Sequence, residues 1–250
     1  MNLGLDGRRA AVAAASGGLG LGLATARALI SEGAQVAICG RDRDRLAAAA
    51  GRLGPAAHPI IADVGTPEGA TAFVQEAQGV LGGVDVLVTN AGGPPAGGFA
   101  DTPLEDYAPA LDLNLLSVVA MCKAAVPPMR ERGWGRVVAI TSISVRQPIP
   151  ALILSSTARA GATGFLKSLA LEVAGDGVTV NSVLPGSHAT ERLRSLRGDD
   201  WDTVADEVPA GRIGDPDDFG AFVAFLCSRQ ARHLTGGAIP VDGGEYAGLL

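Results

Sequence analysis

A glycine-rich run near the start of the chain is the first feature that could do chemistry. It follows an apolar run at residues 10–14 and reads Ser-Gly-Gly-Leu-Gly-Leu-Gly over residues 16–22. Between a strand and a helix, such a turn lets backbone N–H groups approach a pyrophosphate without interference from a Cβ atom. A glycine-rich turn alone is a weak signal, but this one sits at the first strand-to-helix junction. The residues expected to contact a nicotinamide dinucleotide here are Ser16, Gly18, Leu19 and Gly20.

Small or polar residues also follow two later apolar runs. Asp63-Val64 comes after the third run, and Asn90-Ala91-Gly92 comes after the fourth. The carboxyl ends of parallel strands form the crevice in which doubly wound sheets bind ligands. We expect Asp63 to accept a hydrogen bond from the adenine amino group, and a helix cap is its alternative role. The residues expected to line the cofactor are Asp63, Val64, Asn90, Ala91 and Gly92.

Arg41 follows the second apolar run, where a site that prefers NAD usually carries an acidic residue for the ribose diol. A cation at this position suits a 2′-phosphate, so the sequence favours NADP(H) over NAD(H). The alternative is that residues 41–45, which alternate Arg and Asp, only form the solvated start of a helix.

Seven short apolar runs alternate with longer amphipathic stretches along the chain. Runs without alternation are typical of strands buried on both faces of a parallel sheet. The pattern predicts an α/β fold with one doubly wound Rossmann-type domain over residues 1–250, about seven parallel strands and helices on both faces. Helix starts are expected at Thr66-Pro67, Thr102-Pro103 and Asp215-Pro216. The longest predicted helices cover about 102–131 and 152–174.

The composition restricts the possible partners. Hydrophobic residues make up 47% of the 250 residues, and the net charge is −6. An acidic surface argues against a nucleic-acid partner. We expect no metal site, because the three cysteines are far apart with no ligand spacing, and we expect buried thiols in a reducing compartment. Without an uncharged apolar run near 18 residues or a leader-like start, a cytoplasmic protein without a membrane partner is predicted.

The chain resembles the short-chain dehydrogenase/reductase family over nearly its whole length, and the 3-oxoacyl-(acyl-carrier-protein) reductase branch most. The motifs that carry the resemblance are the glycine turn, Asn90-Ala91-Gly92, Asn114, Ser142, Pro185-Gly186 with Thr190, Thr235-Gly236-Gly237, and Val241-Asp242-Gly243-Gly244. The resemblance implies NAD(P) binding that includes Pro185 and Gly186, a small-molecule carbonyl or alcohol substrate, and a homotetramer.

The resemblance also identifies a departure at the catalytic centre. Family members carry a Tyr thirteen residues after the Ser and a Lys four residues beyond that Tyr. Counting from Ser142 places Ser155 and Arg159 at these positions, and the only tyrosines are Tyr107 and Tyr246. Ser142 can donate a hydrogen bond to the substrate oxygen, and Asn114 is expected to hold a water or kink its helix. Arg159 can donate hydrogen bonds to the nicotinamide ribose and stabilise an oxyanion, but it cannot release a proton.

His188 is the residue near the expected nicotinamide with a pKa suited to proton transfer, and a surface-loop histidine is its alternative interpretation. Arginines 146, 192, 194 and 197 border the expected substrate mouth, where they receive an anionic substrate or form a solvated surface. Two functions follow: an oxidoreductase with an altered proton-transfer group, or a non-catalytic nucleotide-binding protein that serves as a sensor or subunit.

Overall fold

The computed structural model describes residues 2–249. Within that range, seven parallel strands form one sheet in the order β3-β2-β1-β4-β5-β6-β7. The strands are β1 Arg9–Val12, β2 Gln35–Gly40, β3 Ala57–Ile61, β4 Val86–Thr89, β5 Gly135–Ile140, β6 Val178–Pro185 and β7 Ala238–Val241. The helices are α1 Leu21–Ser31, α2 Arg43–Leu53, α3 Pro67–Leu81, α4 Tyr107–Leu111, α5 Ser117–Glu131, α6 Ile153–Val173, α7 Glu191–Arg197, α8 Trp201–Glu207 and α9 Pro216–Leu226. The predicted α/β fold class is confirmed.

The central strands are apolar because helices cover both faces of the sheet. On one face α3, α5 and α6 bury a cluster that includes Phe73, Met121 and Leu166. On the other face α1, α2 and α9 bury a second cluster that includes Leu29 and Phe219. Neither face reaches water, so β5 has no exposed residue and no polar alternation.

The strand order reverses between β1 and β4, which pair although five elements (α1, β2, α2, β3 and α3) separate them in sequence. β2 and β3 lie on one side of this point, and β5 to β7 lie on the other. Crevices form where connections leave such a switch point in opposite directions. The Asn90 amide crosses the switch point and donates a hydrogen bond to the Ala14 carbonyl oxygen at 3.3 Å.

Two of the three predicted helix starts are confirmed. The Thr66 hydroxyl accepts a hydrogen bond from Gly69 N–H, and the Asp215 carboxylate accepts one from Asp217 N–H. The prediction at Thr102 is wrong, because the chain there enters a 3₁₀ turn at Leu104–Asp106 whose preceding residue is Pro103, which makes no side-chain cap.

The predicted helix over 102–131 is interrupted. After α4 the chain forms one π-helical turn at Asp112–Leu116 and then continues as α5. By length and composition alone, the stretch Leu104–Glu131 is apolar enough to cross a membrane. In this fold, buried residues of α5 such as Met121 and Met129 belong to the core beneath the sheet, and buried core helices meet the same criterion.

The three cysteines are free and buried, as predicted. Burial raises the pKa of Cys39, Cys122 and Cys227 to about 12, so these thiols stay protonated.

Candidate active site

The glycine turn joins β1 to α1 at the switch point. A Cβ added at Gly22 would lie 2.8 Å from both the Ala14 carbonyl oxygen and the Asn90 amide nitrogen, so glycine is required there. Ser16 lies directly over Gly40 and leaves no room for a side chain on that residue. Ala14 itself has a φ of +48°, the left-handed conformation that favours glycine. The turn is therefore formed despite a strained alanine at its entrance.

A carboxylate already lies on this turn. Glu191, the first residue of α7, accepts a hydrogen bond from Gly18 N–H at 2.9 Å, and its own N–H donates to the Leu19 carbonyl oxygen at 3.0 Å. Its second oxygen pairs with Arg45 at 2.8 Å. Burial acts to raise the pKa of Glu191, but the Gly18 and Arg45 contacts outweigh it and lower that pKa below 4.5. The Glu191 contact thus places an anion on the predicted phosphate-binding N–H groups.

The sequence did not identify Glu191 or Arg45. Glu191 lies 173 residues from Gly18, so no local spacing relates them. Arg45 belongs to the alternating Arg and Asp residues that predicted a helix start, and α2 does begin there, with Asp42 capping Asp44 N–H and Arg45 N–H.

Arg41 and Asp63 meet at the ends of β2 and β3. The guanidinium of Arg41 lies 3.8 Å from the Asp63 carboxylate, and both side chains are exposed. Asp63 also accepts a hydrogen bond from Gly65 N–H at 2.9 Å, whereas Thr66 caps α3. The alternative interpretation of Asp63 as the helix cap is therefore wrong. The side chain of the neighbouring Val64 is buried in the core.

The guanidinium of Arg159 joins the ends of β4 and β5. It donates to the carbonyl oxygens of Ile140 at 3.0 Å and Thr141 at 3.2 Å, and more weakly to that of Ala91 at 3.4 Å. One helical turn earlier on α6, the buried Ser155 accepts a hydrogen bond from Arg159 Nε at 3.2 Å. The two residues that stand at the expected Tyr and Lys positions are thus in contact with each other.

Burial and the positive charge of Arg192 lower the pKa of Arg159 to about 10, so the guanidinium remains charged at neutral pH.

Ser142 and Asn114 border the same end of the crevice. The Ser142 hydroxyl oxygen accepts a hydrogen bond from Ser144 N–H at 3.1 Å, which leaves its proton available to a ligand. The Asn114 amide donates to the Gly92 carbonyl oxygen at 3.0 Å from within the π-helical turn. Its buried Oδ1 accepts no hydrogen bond from the described residues.

His188 makes its contacts with other residues than these. Its ring packs edge-on against Phe219 with a centroid separation of 5.1 Å, contacts the Gly214 backbone, and approaches the Gly186 carbonyl oxygen at 3.2 Å. The residue is 5% exposed, so the surface-loop interpretation is wrong. The preceding Pro185 pairs with Val241 of β7, and Gly186 N–H donates to the Val241 carbonyl oxygen.

Known proteins share this sequence and architecture. A family model described as Enoyl-(Acyl carrier protein) reductase matches residues 14–245. The 3-oxoacyl-(acyl-carrier-protein) reductase FabG of Vibrio cholerae is 33% identical over 244 residues, covering 98% of this chain and 99% of that protein. Dehydrogenase/reductase SDR family member 4 of Bos taurus is 34% identical over 251 residues, covering 98% of this chain and 89% of that protein.

Among solved structures, L-sorbose reductase from Gluconobacter frateurii, complexed with NADPH and L-sorbose, aligns over 100% of both chains with a TM-score of 0.91 and 33% identity. The chain belongs to the short-chain dehydrogenase/reductase family of oxidoreductases.

Proposed function

We propose that the protein is an NADP(H)-dependent oxidoreductase that interconverts a carbonyl and an alcohol in a small molecule. The observation that carries this proposal is the Glu191 carboxylate held by Gly18 N–H and Arg45. A turn that binds one anion through backbone N–H groups, beside a cation, has the chemistry a pyrophosphate requires. The L-sorbose reductase that matches over its whole length contains NADPH, which supports the same cofactor here.

The residues that would hold the cofactor lie along one edge of the sheet. The glycine turn would contact the pyrophosphate once Glu191 withdraws, and Arg41 would contact a 2′-phosphate. The nicotinamide supplies or accepts the hydride when it is bound. The remaining proposed contacts come from Ser16, Leu19, Gly20, Asp63, Val64, Asn90, Ala91, Gly92, Arg159, Pro185 and Gly186.

At the catalytic end, we assign carbonyl orientation to Ser142 and charge stabilisation to Arg159. The Ser142 hydroxyl would donate to the substrate oxygen, and the fixed guanidinium would stabilise negative charge that develops there. Ser155 and Arg159 replace the family's Tyr and Lys in this proposal. Neither replacement is a good proton donor, because a serine hydroxyl is far less acidic than a phenol and Arg159 stays charged.

One observation favours the alternative of a non-catalytic nucleotide-binding subunit. Most of the Arg159 donors are used by Ser155 and by backbone carbonyl groups. A residue held in this way can serve as a structural tie between β4, β5 and α6. Reduction of a carbonyl substrate by the purified protein with NADPH, followed at the nicotinamide absorbance, separates the two functions.

Cofactor choice is tested by titrating the protein with NADPH and NADH and following cofactor fluorescence. One charge-assisted contact from Arg41 to the 2′-phosphate corresponds to a preference for NADPH of about tenfold or more. Arg41→Ala should remove most of that preference. Arg43→Ala, an exposed arginine in the same segment, should leave it unchanged. Equal affinities in the wild-type protein would contradict the assignment of Arg41.

We further propose that the protein is a cytoplasmic homotetramer, as the family resemblance implies. Sedimentation velocity of the purified protein tests the tetramer.

A further inference from the structure

The sequence predicts four arginines at the substrate mouth, and three of them make contacts that are typical of an exposed surface. Arg194 pairs with Asp199 at 2.6 Å, and Arg197 pairs with Glu207 at 2.6 Å. Arg146 is exposed and donates to the Ala238 carbonyl oxygen at 2.8 Å. These three therefore fit the interpretation as a solvated surface.

Arg192 differs from these three because its charged group is partly buried and has no carboxylate partner among the described residues. Its guanidinium is half-buried and donates to the Pro94 carbonyl oxygen at 2.9 Å. It lies flat against Gly93, where an added Cβ would come within 2.6 Å of Arg192 Cζ. No carboxylate of residues 2–249 lies within ion-pair distance of it, although α7 itself carries Glu191. Burial lowers the pKa of Arg192, because the charged guanidinium is less stable away from water than in it.

Arg159 contacts the same loop. It reaches Ala91, while Arg192 reaches Gly93 and Pro94, so two cations flank a loop of four residues. Arg159 likewise has no ion-pair partner among the described residues. Two partly buried like charges without a counter-charge are unfavourable unless an anion joins them.

The two guanidinium groups differ in the donors they have left. Each guanidinium carries five N–H donors. Arg159 directs its Nε, both Nη1 protons and one Nη2 proton to protein atoms, whereas Arg192 uses one donor, toward Pro94. Arg192 therefore keeps enough donors for a bidentate contact with a carboxylate, while Arg159 contributes mainly positive charge.

We propose that Arg192 binds the carboxylate of the substrate and that Arg159 provides the second positive charge of this site. The substrate class is then a small oxo acid, or the corresponding hydroxy acid, with its carboxylate close to the reacting carbon. Closeness follows because Arg159 contacts Thr141, next to Ser142, and shares a loop with Arg192. This inference rests on the proposed oxidoreductase function.

The experiment compares an acid with a neutral analogue that has the same carbonyl group. Binding of acetoacetate and of methyl acetoacetate is measured by calorimetry, with the wild-type protein alone and saturated with NADPH. Acetoacetate should bind, and the ester should bind about tenfold more weakly or worse, because it lacks the charge-assisted pair. Arg192→Gln should weaken acetoacetate binding by about tenfold or more, while Arg197→Gln, on the same helix, should not change it.

Each other outcome has a defined meaning. Equal binding of acid and ester, or tight acetoacetate binding by Arg192→Gln, overturns the proposal. Inorganic phosphate binding as tightly as acetoacetate would show an unselective anion site and overturn the substrate class. Weaker NADPH binding by Arg192→Gln, with acetoacetate binding unchanged, would assign Arg192 to the cofactor instead. If NADPH fails to bind the wild-type protein, the proposed function fails, and acetoacetate binding without cofactor still tests this site separately.

Discussion

The proposed phosphate end and the proposed catalytic end of the crevice lie along one edge of the same sheet, but one consists mainly of backbone groups and the other of side chains. At the phosphate end, the glycine turn offers backbone N–H groups, and its charged residues Arg41, Arg45 and Glu191 are largely exposed. At the catalytic end, Arg159 and Ser155 are packed inside the fold and bonded to each other and to backbone carbonyl groups. A site made of backbone groups tolerates an unfavourable residue such as Ala14 in its left-handed conformation, whereas a site made of side chains changes its chemistry with each substitution.

The largest expected effect comes from introducing, at the proposed catalytic end, the Tyr and Lys that the family resemblance implies. We expect Ser155→Tyr with Arg159→Lys to raise kcat/KM for a short 3-oxoacyl thioester by about 100-fold or more, since general acid catalysis contributes on that scale. Either single change should gain much less, because the phenol and the ammonium act together. NADPH affinity should change little by comparison.

Melting temperature must be measured with activity in this double variant. Ser155 is 6% exposed, so a tyrosine ring has to displace its neighbours. A variant that melts far below the wild-type protein would explain a missing gain by overpacking. High wild-type activity on the same thioesters would mean that another group supplies the proton and that the altered centre is fully competent.

The phosphate end is probed by Glu191→Gln. The wild-type carboxylate occupies Gly18 N–H and neutralises Arg45, so an incoming pyrophosphate must displace it. Removing its charge should tighten NADPH binding by roughly three- to tenfold, as a charged hydrogen-bond competitor is lost. Glu207→Gln, which breaks the exposed pair with Arg197, is the matched control and should leave NADPH affinity unchanged. Weaker NADPH binding by Glu191→Gln would mean that Glu191 helps to bind the cofactor.

The variant His188→Gln tests whether His188 carries a proton in the reaction. Its packing against Phe219 favours a structural role, so we expect His188→Gln to lose stability and to keep kcat within about threefold of wild type. A severe loss of kcat with unchanged NADPH affinity would instead identify His188 as the proton donor.

The same residue has a predicted pH signature. Burial lowers the pKa of His188 below 6.5, against the opposing effects of Gly186 and nearby acidic residues. The folded protein therefore binds fewer protons here than the unfolded chain, and stability falls as the pH drops through 6.5. The melting temperature of His188→Gln should decline less than that of wild type between pH 7 and pH 5. His233→Gln, at an exposed position, should follow the wild-type decline.

The smallest expected effect is at the entrance of the glycine turn. Left-handed backbone costs an L-residue roughly 1–2 kcal/mol, and glycine loses roughly 0.5–1 kcal/mol of that advantage through its freedom in the unfolded chain. Ala14→Gly should therefore raise the free energy of unfolding by about 0.5–1 kcal/mol, measured in urea. Ala15→Gly, at a buried neighbour with ordinary backbone, should lower it. A destabilised Ala14→Gly would show that the alanine methyl group makes a compensating contact.

The local sequence pattern predicted much of this fold, because the two signals that it uses, apolar runs and helix-capping residues, act over short distances along the chain. The apolar runs marked every strand, and Thr66 and Asp215 marked helix starts through bonds that span two or three residues. The predicted helix start at Thr102 was wrong because a proline after a capping residue is also compatible with a 3₁₀ turn.

The contacts at the site were harder to predict because they join distant parts of the chain. The environment of His188 depends on Gly214 and Phe219, which follow it by 26 and 31 residues, and the contact of Glu191 with Gly18 spans 173. Arg192 and Arg194 lie two residues apart on one short helix, yet one turns toward the loop after β4 and the other pairs with Asp199. Neither composition nor spacing distinguishes such neighbours.

The π-helical turn around Asn114 also determines how this region tolerates changes in length. Because each helical residue rotates by roughly 100°, a turn that closes one residue later than an α-turn shifts every following side chain around the helix. Upstream of Asn114, α4 packs against α6, whereas downstream α5 packs against α3. Five π-helical residues rotate the chain by about as much as four α-helical residues, so deleting one residue within 112–116 would restore an ordinary helix and keep both packed faces in register. The buried methionines of α5 would therefore stay in the core after such a deletion, whereas Asn114 would lose the backbone position from which it donates to the Gly92 carbonyl oxygen.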